Sequence, residues 1–192
     1  AWGATPLHVL VTNAGIMACP LTRTAAGWEL QLAVNHLGHA ALVRGLLPAL
    51  LAAAPARVVA LSSAAHRIAS VDLDDPFFER RPYSKWKAYG QAKTCNGLMA
   101  LALDGAYASH GLTANAVHPG AIMTGLQQHL SLDEQRASGL IDEHGNPPAF
   151  FKTAPPVTTT RRPCRSTSAT TSSAVERAPK AEVMSVIVTR LR

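Results

Sequence analysis

Cysteine is scarce: Cys19, Cys95 and Cys164 are the only three, an odd number with no CxxC spacing. That excludes a disulfide-stapled secreted scaffold and implies a reducing compartment. Long hydrophobic runs are missing too. The longest, around residues 40–54, is broken by Arg44 and Pro48, so no segment reads as a membrane span. No signal-peptide pattern opens the sequence, and the expected location is cytoplasmic. There is no internal repeat. At 192 residues and 47% hydrophobic composition, the chain supports one core and is short for two domains.

A charge excess of either sign is absent from most of the chain. Residues 1–150 hold ten basic and ten acidic side chains, whereas 151–192 hold eight and two, which accounts for the whole net charge of +6. The high isoelectric point therefore says nothing about what the first 150 residues bind, and no specific nucleic-acid interface is implied. After Thr153 the sequence turns to Pro, Thr, Arg and Ser, as in Thr158-Thr159-Thr160-Arg161-Arg162. Such a stretch is expected to be disordered and to adhere to acidic surfaces, or to be the product of a shifted reading frame in a GC-rich gene. The expected division is a domain over 1–152 and a basic tail over 153–192. The apolar stretch Val183–Val188 within the tail has strand character.

Three short apolar runs punctuate the first 120 residues. A strand over residues 7–12 leads into Asn13-Ala14-Gly15, a second begins at Arg57 and ends in Ser62-Ser63, and a third over Leu112–Val117 leads into His118-Pro119-Gly120. Between them lie helical stretches, roughly 25–53 with Leu30, Val34, Leu37 and Ala41 as the apolar set, and roughly 85–109, closed by Gly111 as a left-handed cap. Strand, helix, strand, helix, strand implies right-handed crossovers and a parallel α/β sheet. Ligands of such sheets bind beyond the carboxyl ends of the strands, where Asn13, Ser63 and Pro119 fall.

Tyr89 and Lys93 lie four residues apart in a predicted helix, so a phenol and an ammonium share one face. A neighbouring cation favours the phenolate and lowers the tyrosine pKa from about 10, which suits it to general acid/base work. His36 and His39, three apart on a helix, have no carboxylate or cysteine at ligand spacing and are read as structural, with no metal site. Ser63 lacks a GxSxG elbow, which argues against a hydrolase. Lys85, Trp86 and Lys87 read as a solvated first helical turn.

In order along the chain, Thr12-Asn13-Ala14-Gly15, Asn35-His36-Leu37-Gly38-His39, Ser62-Ser63, Tyr89-xxx-Lys93 and His118-Pro119-Gly120 resemble the motifs of the short-chain dehydrogenase/reductase superfamily. Within it they are most similar to the branch of retinol dehydrogenases, WW-domain oxidoreductases and protochlorophyllide reductases. The likeness spans about residues 5–152 and implies part of a Rossmann-like doubly wound parallel sheet. It makes Tyr89 the general acid/base, Lys93 its partner and a ligand of the nicotinamide ribose, and Ser63, rather than Ser62, the holder of the substrate oxygen. Asn35 would position a water in the relay to Lys93. Asn13, Ala14 and Gly15, with Pro119 and Gly120, would line the cofactor, and Thr124 would bond the carboxamide. The implied cofactor is NADP or NAD, with NADP ahead, the substrate is a small carbonyl or alcohol of lipophilic character, and the long helices would form a homodimer.

The family's glycine-rich phosphate loop is missing before Asn13. The chain is accordingly expected to be a fragment in which the strand at 7–12 shows an exposed apolar edge and the pyrophosphate finds no helix N-terminus. The alternative function is then a catalytically dead fragment, or an interaction module with a tail that binds acidic surfaces. The segment 125–150, with Leu126, Leu130, Leu140 and Ile141, is expected to shape a partly apolar substrate wall.

Overall fold

Parallel strands cannot be joined by a tight turn, and the spacing of the three apolar runs leaves room for a crossover helix after each of the first two. The computed structural model, which describes residues 5–153, shows this arrangement. Strands β1 (Val9–Thr12), β2 (Ala56–Leu61) and β3 (Leu112–Val117) form a parallel sheet in the order β1-β2-β3, with Val11 opposite Val59 and Val59 opposite Asn115. The first crossover starts as helix α1 (Leu30–Leu32), widens into a π-turn over Ala33–Leu37 and continues as α2 (Gly38–Ala52). The second is α3 (Lys85–Tyr107).

Both crossovers cover the same face. Val43 and Leu50 of α2 and Ala100 of α3 pack on Val58, Ala60, Leu112 and Ala114, the inward positions of β2 and β3. Alternation then decides the other face. Val9 and Val11, 55% and 52% exposed, lie opposite the packed positions Leu10 and Thr12, so the apolar exposure is on a face of the strand, whereas the expectation concerned its edge. The Arg57 run is therefore a strand buried on one side. Among the described residues helices flank one face of the sheet, and β1 has β2 as its only neighbour.

The first helix starts five residues later than its composition predicts. Gly27, at φ 79°, and a bridge between Arg23 and Glu29 hold the preceding stretch in a turn. Glu29 then caps the helix, its carboxylate accepting from Gln31 N at 2.9 Å and Leu32 N at 2.7 Å. Within the π-turn, Gly38 N donates to Ala33 O, five residues back. The extra residue rotates the register, so Leu37 is buried as expected while Leu30, Val34 and Ala41 are half-buried. Leu32, Ala40 and Val43 take the core positions, beside a buried polar row of Gln31, Asn35, His36 and His39.

Ser84 caps α3, and Gly111 terminates its extension in the left-handed region at φ 78°. Space demands glycine there as well, because an added Cβ would lie 2.8 Å from Ala54 Cβ. Beyond β3, strands β4 (Ile122–Met123) and β5 (Lys152–Thr153) pair in parallel, and helix α4 (Leu132–Ala137) carries a capping box of Ser131 and Glu134. An ion pair between Lys85 and Glu134 ties α4 to the start of α3. No helix among the described residues is long and apolar enough to cross a membrane. The tail read over 153–192 lies, apart from Thr153, outside the described residues, and so does the strand read at Val183–Val188.

Candidate active site

All three strands run out at the same edge. Ser62 N donates to Val117 O at 2.9 Å there, which locks the end of β2 to the end of β3. The turns that follow, with α3 and the segment 121–151, enclose a cavity of ≈ 1290 Å³. Of the predicted residues, Asn13, Ala14, Gly15, Ser63, Tyr89, Lys93, Pro119, Gly120 and Thr124 line it, and Asn35 does not.

Tyr89 lies in the second turn of α3, with 5% of its surface exposed. Its hydroxyl faces Ser63, whose influence pulls the phenol pKa down, but burial is the larger effect and the pKa is raised. This departs from the expectation that Lys93 lowers it. The Lys93 ammonium donates to Leu61 O at 3.0 Å and lies 5.5 Å from the centroid of the Tyr89 ring. Burial also pushes Lys93 down to about 8, because loss of water disfavours the cation. Desolvation thus dominates both groups.

Ser63 caps the short 3₁₀ turn Ala64–Ile68, its Oγ accepting from Ala65 N at 3.2 Å. Ser62 turns away from the phenol, and its Oγ donates to Lys93 O at 2.9 Å. Thr124 Oγ1 accepts from Leu126 N at 3.2 Å and caps the next 3₁₀ turn.

The Asn35 amide has partners of its own. Its Oδ1 accepts from Ile16 N at 2.8 Å and its Nδ2 donates to Ile16 O at 2.9 Å, so the side chain braces the turn after β1. Gly15 sits against it: an added Cβ would be 3.0 Å from Asn35 Oδ1 and 3.8 Å from Lys93 Nζ. The Asn35 carbonyl, in the π-turn, accepts from Asn96 Nδ2 at 3.0 Å, and Asn96 also donates to Leu61 O at 3.0 Å. Asn96 Oδ1 lies 3.0 Å from His36 Nδ1. The expected structural histidine is thereby partnered, and burial lowers its pKa to about 4. Among the described residues no group of three or more His, Cys, Asp or Glu side chains is placed to hold a metal ion.

Several lining residues were not legible in the sequence. Trp86, read as solvated, lines the cavity, and its i,i+3 spacing from Tyr89 is the signal that places both on one face. Met17, Phe150 and Phe151 have no such signal, because they reach the cavity from loops. Leu126 and Leu140 line the wall as expected, while Leu130 is buried with Met17, Ala18 and Tyr89 in a small cluster and Ile141 is also buried.

An open parallel α/β sheet, with serine, tyrosine and lysine gathered over its carboxyl edge, defines the class of protein. The short chain dehydrogenase family model matches residues 2–135, and the chain belongs to that family. It is 49% identical over 156 residues to a Streptomyces lividans protein named "Probable oxidoreductase", covering 80% of this chain and 52% of that one. It is 45% identical over 126 residues to human retinol dehydrogenase 12, covering 66% and 40% respectively. The crystal structure of an uncharacterized protein from Mycobacterium paratuberculosis shares 40% identity at a TM-score of 0.57, covering 66% of this chain and 47% of that one. The chain thus spans about half the length of the curated relatives it matches, and the similarity places it in the retinol dehydrogenase-like part of the family.

Proposed function

We propose that this chain carries the proton-transfer half of a nicotinamide-dependent oxidoreductase site that interconverts a carbonyl and an alcohol on a lipophilic substrate. The observation that carries the reading is that Ser63, Tyr89 and Lys93 line one wall of the cavity, with the Lys93 ammonium 5.5 Å from the centroid of the Tyr89 ring. The residues present fit the nicotinamide end of the cofactor: Gly120, at φ 89° with open space around an added Cβ, lets a flat ring approach the backbone. When bound, the cofactor supplies or accepts the hydride. Pro119, Gly120 and Thr124 would line its ring, Lys93 would hold its ribose, and Asn13, Ala14 and Gly15 would pass beside it.

Ser63 orients the substrate oxygen and donates to it as negative charge builds. Tyr89 gives that oxygen its proton, and because burial raises its pKa the transfer depends on the hydroxyl of Ser63 and the charge of Lys93 to stabilise the phenolate it leaves. Lys93 returns a proton to the phenolate, a transfer helped by its own depressed pKa. Met17, Trp86, Leu126, Leu140 and Phe151 give the cavity an apolar side suited to a lipophilic substrate. The retinol dehydrogenases among the relatives support that class. Relatives determined with NADP or NADH fit a nicotinamide cofactor, and NADP ahead of NAD follows the branch likeness.

A second reading, a non-catalytic fragment or interaction module, is favoured by the exposed valines of β1, which offer an apolar surface beside the site. Calorimetric titration of the 192-residue chain with NADPH and NADH, followed by turnover of an aldehyde panel by wild type and Tyr89→Phe, separates the two. Weak binding is expected, because the pyrophosphate lacks its helix N-terminus, and turnover lost in Tyr89→Phe supports the first reading. A folded chain that binds neither cofactor leaves the second reading.

A further inference from the structure

One buried amide joins the two sides of the apolar cavity wall, and the chemistry above does not use it. Gln31, the middle residue of α1, is fully buried and does not itself line the cavity. Its Oε1 accepts from Ala18 N at 2.9 Å, and its Nε2 donates to Tyr83 Oη at 2.8 Å and to Lys85 O at 2.9 Å. Ala18 directly follows Met17, and Lys85 directly precedes Trp86. The amide is therefore anchored one residue away from each of two side chains that line the cavity.

Glutamine is the residue these partners require. A primary amide presents two N–H donors and one carbonyl acceptor, which match two acceptors and one donor, whereas a carboxylate would set a charged oxygen against Lys85 O. The loop side needs an anchor, because Ala18 sits in the left-handed region at φ 51°, where a residue with a Cβ stays only if its surroundings impose it. Ala18 packs with Met17, Tyr89 and Leu130, and Trp86 lies against the same cluster. Tyr83 secures the other end, its hydroxyl reaching Cys19 O and Glu29 Oε1, each at 3.1 Å.

We propose that Gln31 is a positioning residue for substrate selection, which holds the loop carrying Met17 against the turn carrying Trp86 and so favours substrates with a long apolar chain over short ones. The inference deepens the reductase reading and rests on it for the chemistry. A wall already fixed receives the chain without being ordered by it, whereas a loose wall must be ordered at each binding event, and that cost falls on the substrates that touch most of it. A short substrate reaches Ser63 and Tyr89 with little of the wall covered.

The test compares wild type, Gln31→Leu and Tyr83→Phe in the full chain, with octanol and butanol as calorimetric probes that need no cofactor. Leucine is apolar and close in size, and it removes all of the Gln31 side-chain bonds. Tyr83→Phe keeps the Ala18 and Lys85 anchors but strands Cys19 O and the Glu29 carboxylate, so it reads a merely structural loss in the same network. Gln31→Leu is expected to bind octanol about tenfold more weakly and butanol within about twofold of wild type, and Tyr83→Phe to bind both within about twofold. In an active chain, Gln31→Leu is expected to raise KM for octanal about tenfold while kcat changes little. Should Gln31→Leu not fold, Gln31→Glu replaces it, keeping an acceptor for Ala18 N and losing the donor to Lys85 O, and octanol is again expected to weaken more than butanol. Octanol affinity that is unchanged in the Gln31 variant, or lost equally in Tyr83→Phe, overturns the proposal, as does a wild type that binds no octanol. Octanol binding that depends on Gln31 in a chain that reduces no aldehyde counts against the reductase reading alone.

Discussion

Gly90, beside Tyr89 in α3, is the most informative position for a stability test, because two effects of opposite sign meet there. Replacing a helical glycine by alanine ordinarily gains about 1 kcal/mol. Here the added Cβ would lie 2.6 Å from Ala65 O, 3.0 Å from Ile68 Cγ1 and 3.2 Å from Ala69 Cβ. The nearest of these is backbone. It belongs to the 3₁₀ turn that follows Ser63, and that turn is pinned by Thr94, whose Oγ1 lies 2.7 Å from Ala69 O and 3.0 Å from His66 O. Overpacking a site that cannot yield costs about 1–3 kcal/mol, and the pinned carbonyl puts Gly90 near the top of that range. The net expectation for Gly90→Ala is a loss of about 1–2 kcal/mol, or about 5 °C in Tm for a chain of this size. The same helix supplies the control. Gly105 has nothing within 4 Å of an added Cβ, so Gly105→Ala is expected to gain about 0.5–1 kcal/mol. Thermal unfolding by circular dichroism compares the two. A Gly90→Ala chain as stable as Gly105→Ala would refute the packing of the Ser63 turn against α3. Displacement of that turn also moves Ser63 from Tyr89, so turnover is expected to fall further than stability.

Ser63→Ala is expected to lower kcat by about 10²-fold or more with little change in folding, read from steady-state turnover. Asn96→Ala strands the carbonyls of Asn35 and Leu61 and the ring of His36, and is expected to cost about 2–4 kcal/mol in urea unfolding. Acid stability follows His36. Its folded pKa of about 4 lies below the ordinary 6.5, so the unfolded chain binds the proton first, and stability falls as pH drops from 6.5 to 4. The loss approaches 3 kcal/mol, partly offset by Glu29, whose raised pKa favours the folded state on acidification, and the urea midpoint measured against pH reads the balance. At alkaline pH the slope has the same sign. Lys93, depressed to about 8 from 10.5, makes folded stability rise by about 1 kcal/mol between pH 8 and 9, before the buried Cys95 thiol, raised to about 12 from 9.0, begins to oppose it. Lys93→Met is expected to lose that rise.

The parallel sheet and the cluster of turns at one edge were readable from three short apolar runs separated by helix-length segments, because a crossover length is a property of the chain itself. So was the shared face of Tyr89 and Lys93, which four residues of helix impose. Gly111 announced its cap for the same local reason. Other features depend on groups that meet only after folding. The direction of the Tyr89 shift rests on how much water the cavity walls remove, and no spacing encodes that. The task of the Asn35 amide, bracing Ile16 across 19 residues, follows from a π-turn whose register no motif reports. Trp86 and Phe151 become cavity wall only where a helix and a loop from distant parts of the chain meet over the edge of the sheet. Local geometry travels with the sequence. Desolvation and charge coupling belong to the tertiary structure, because they are set by what surrounds a group on every side.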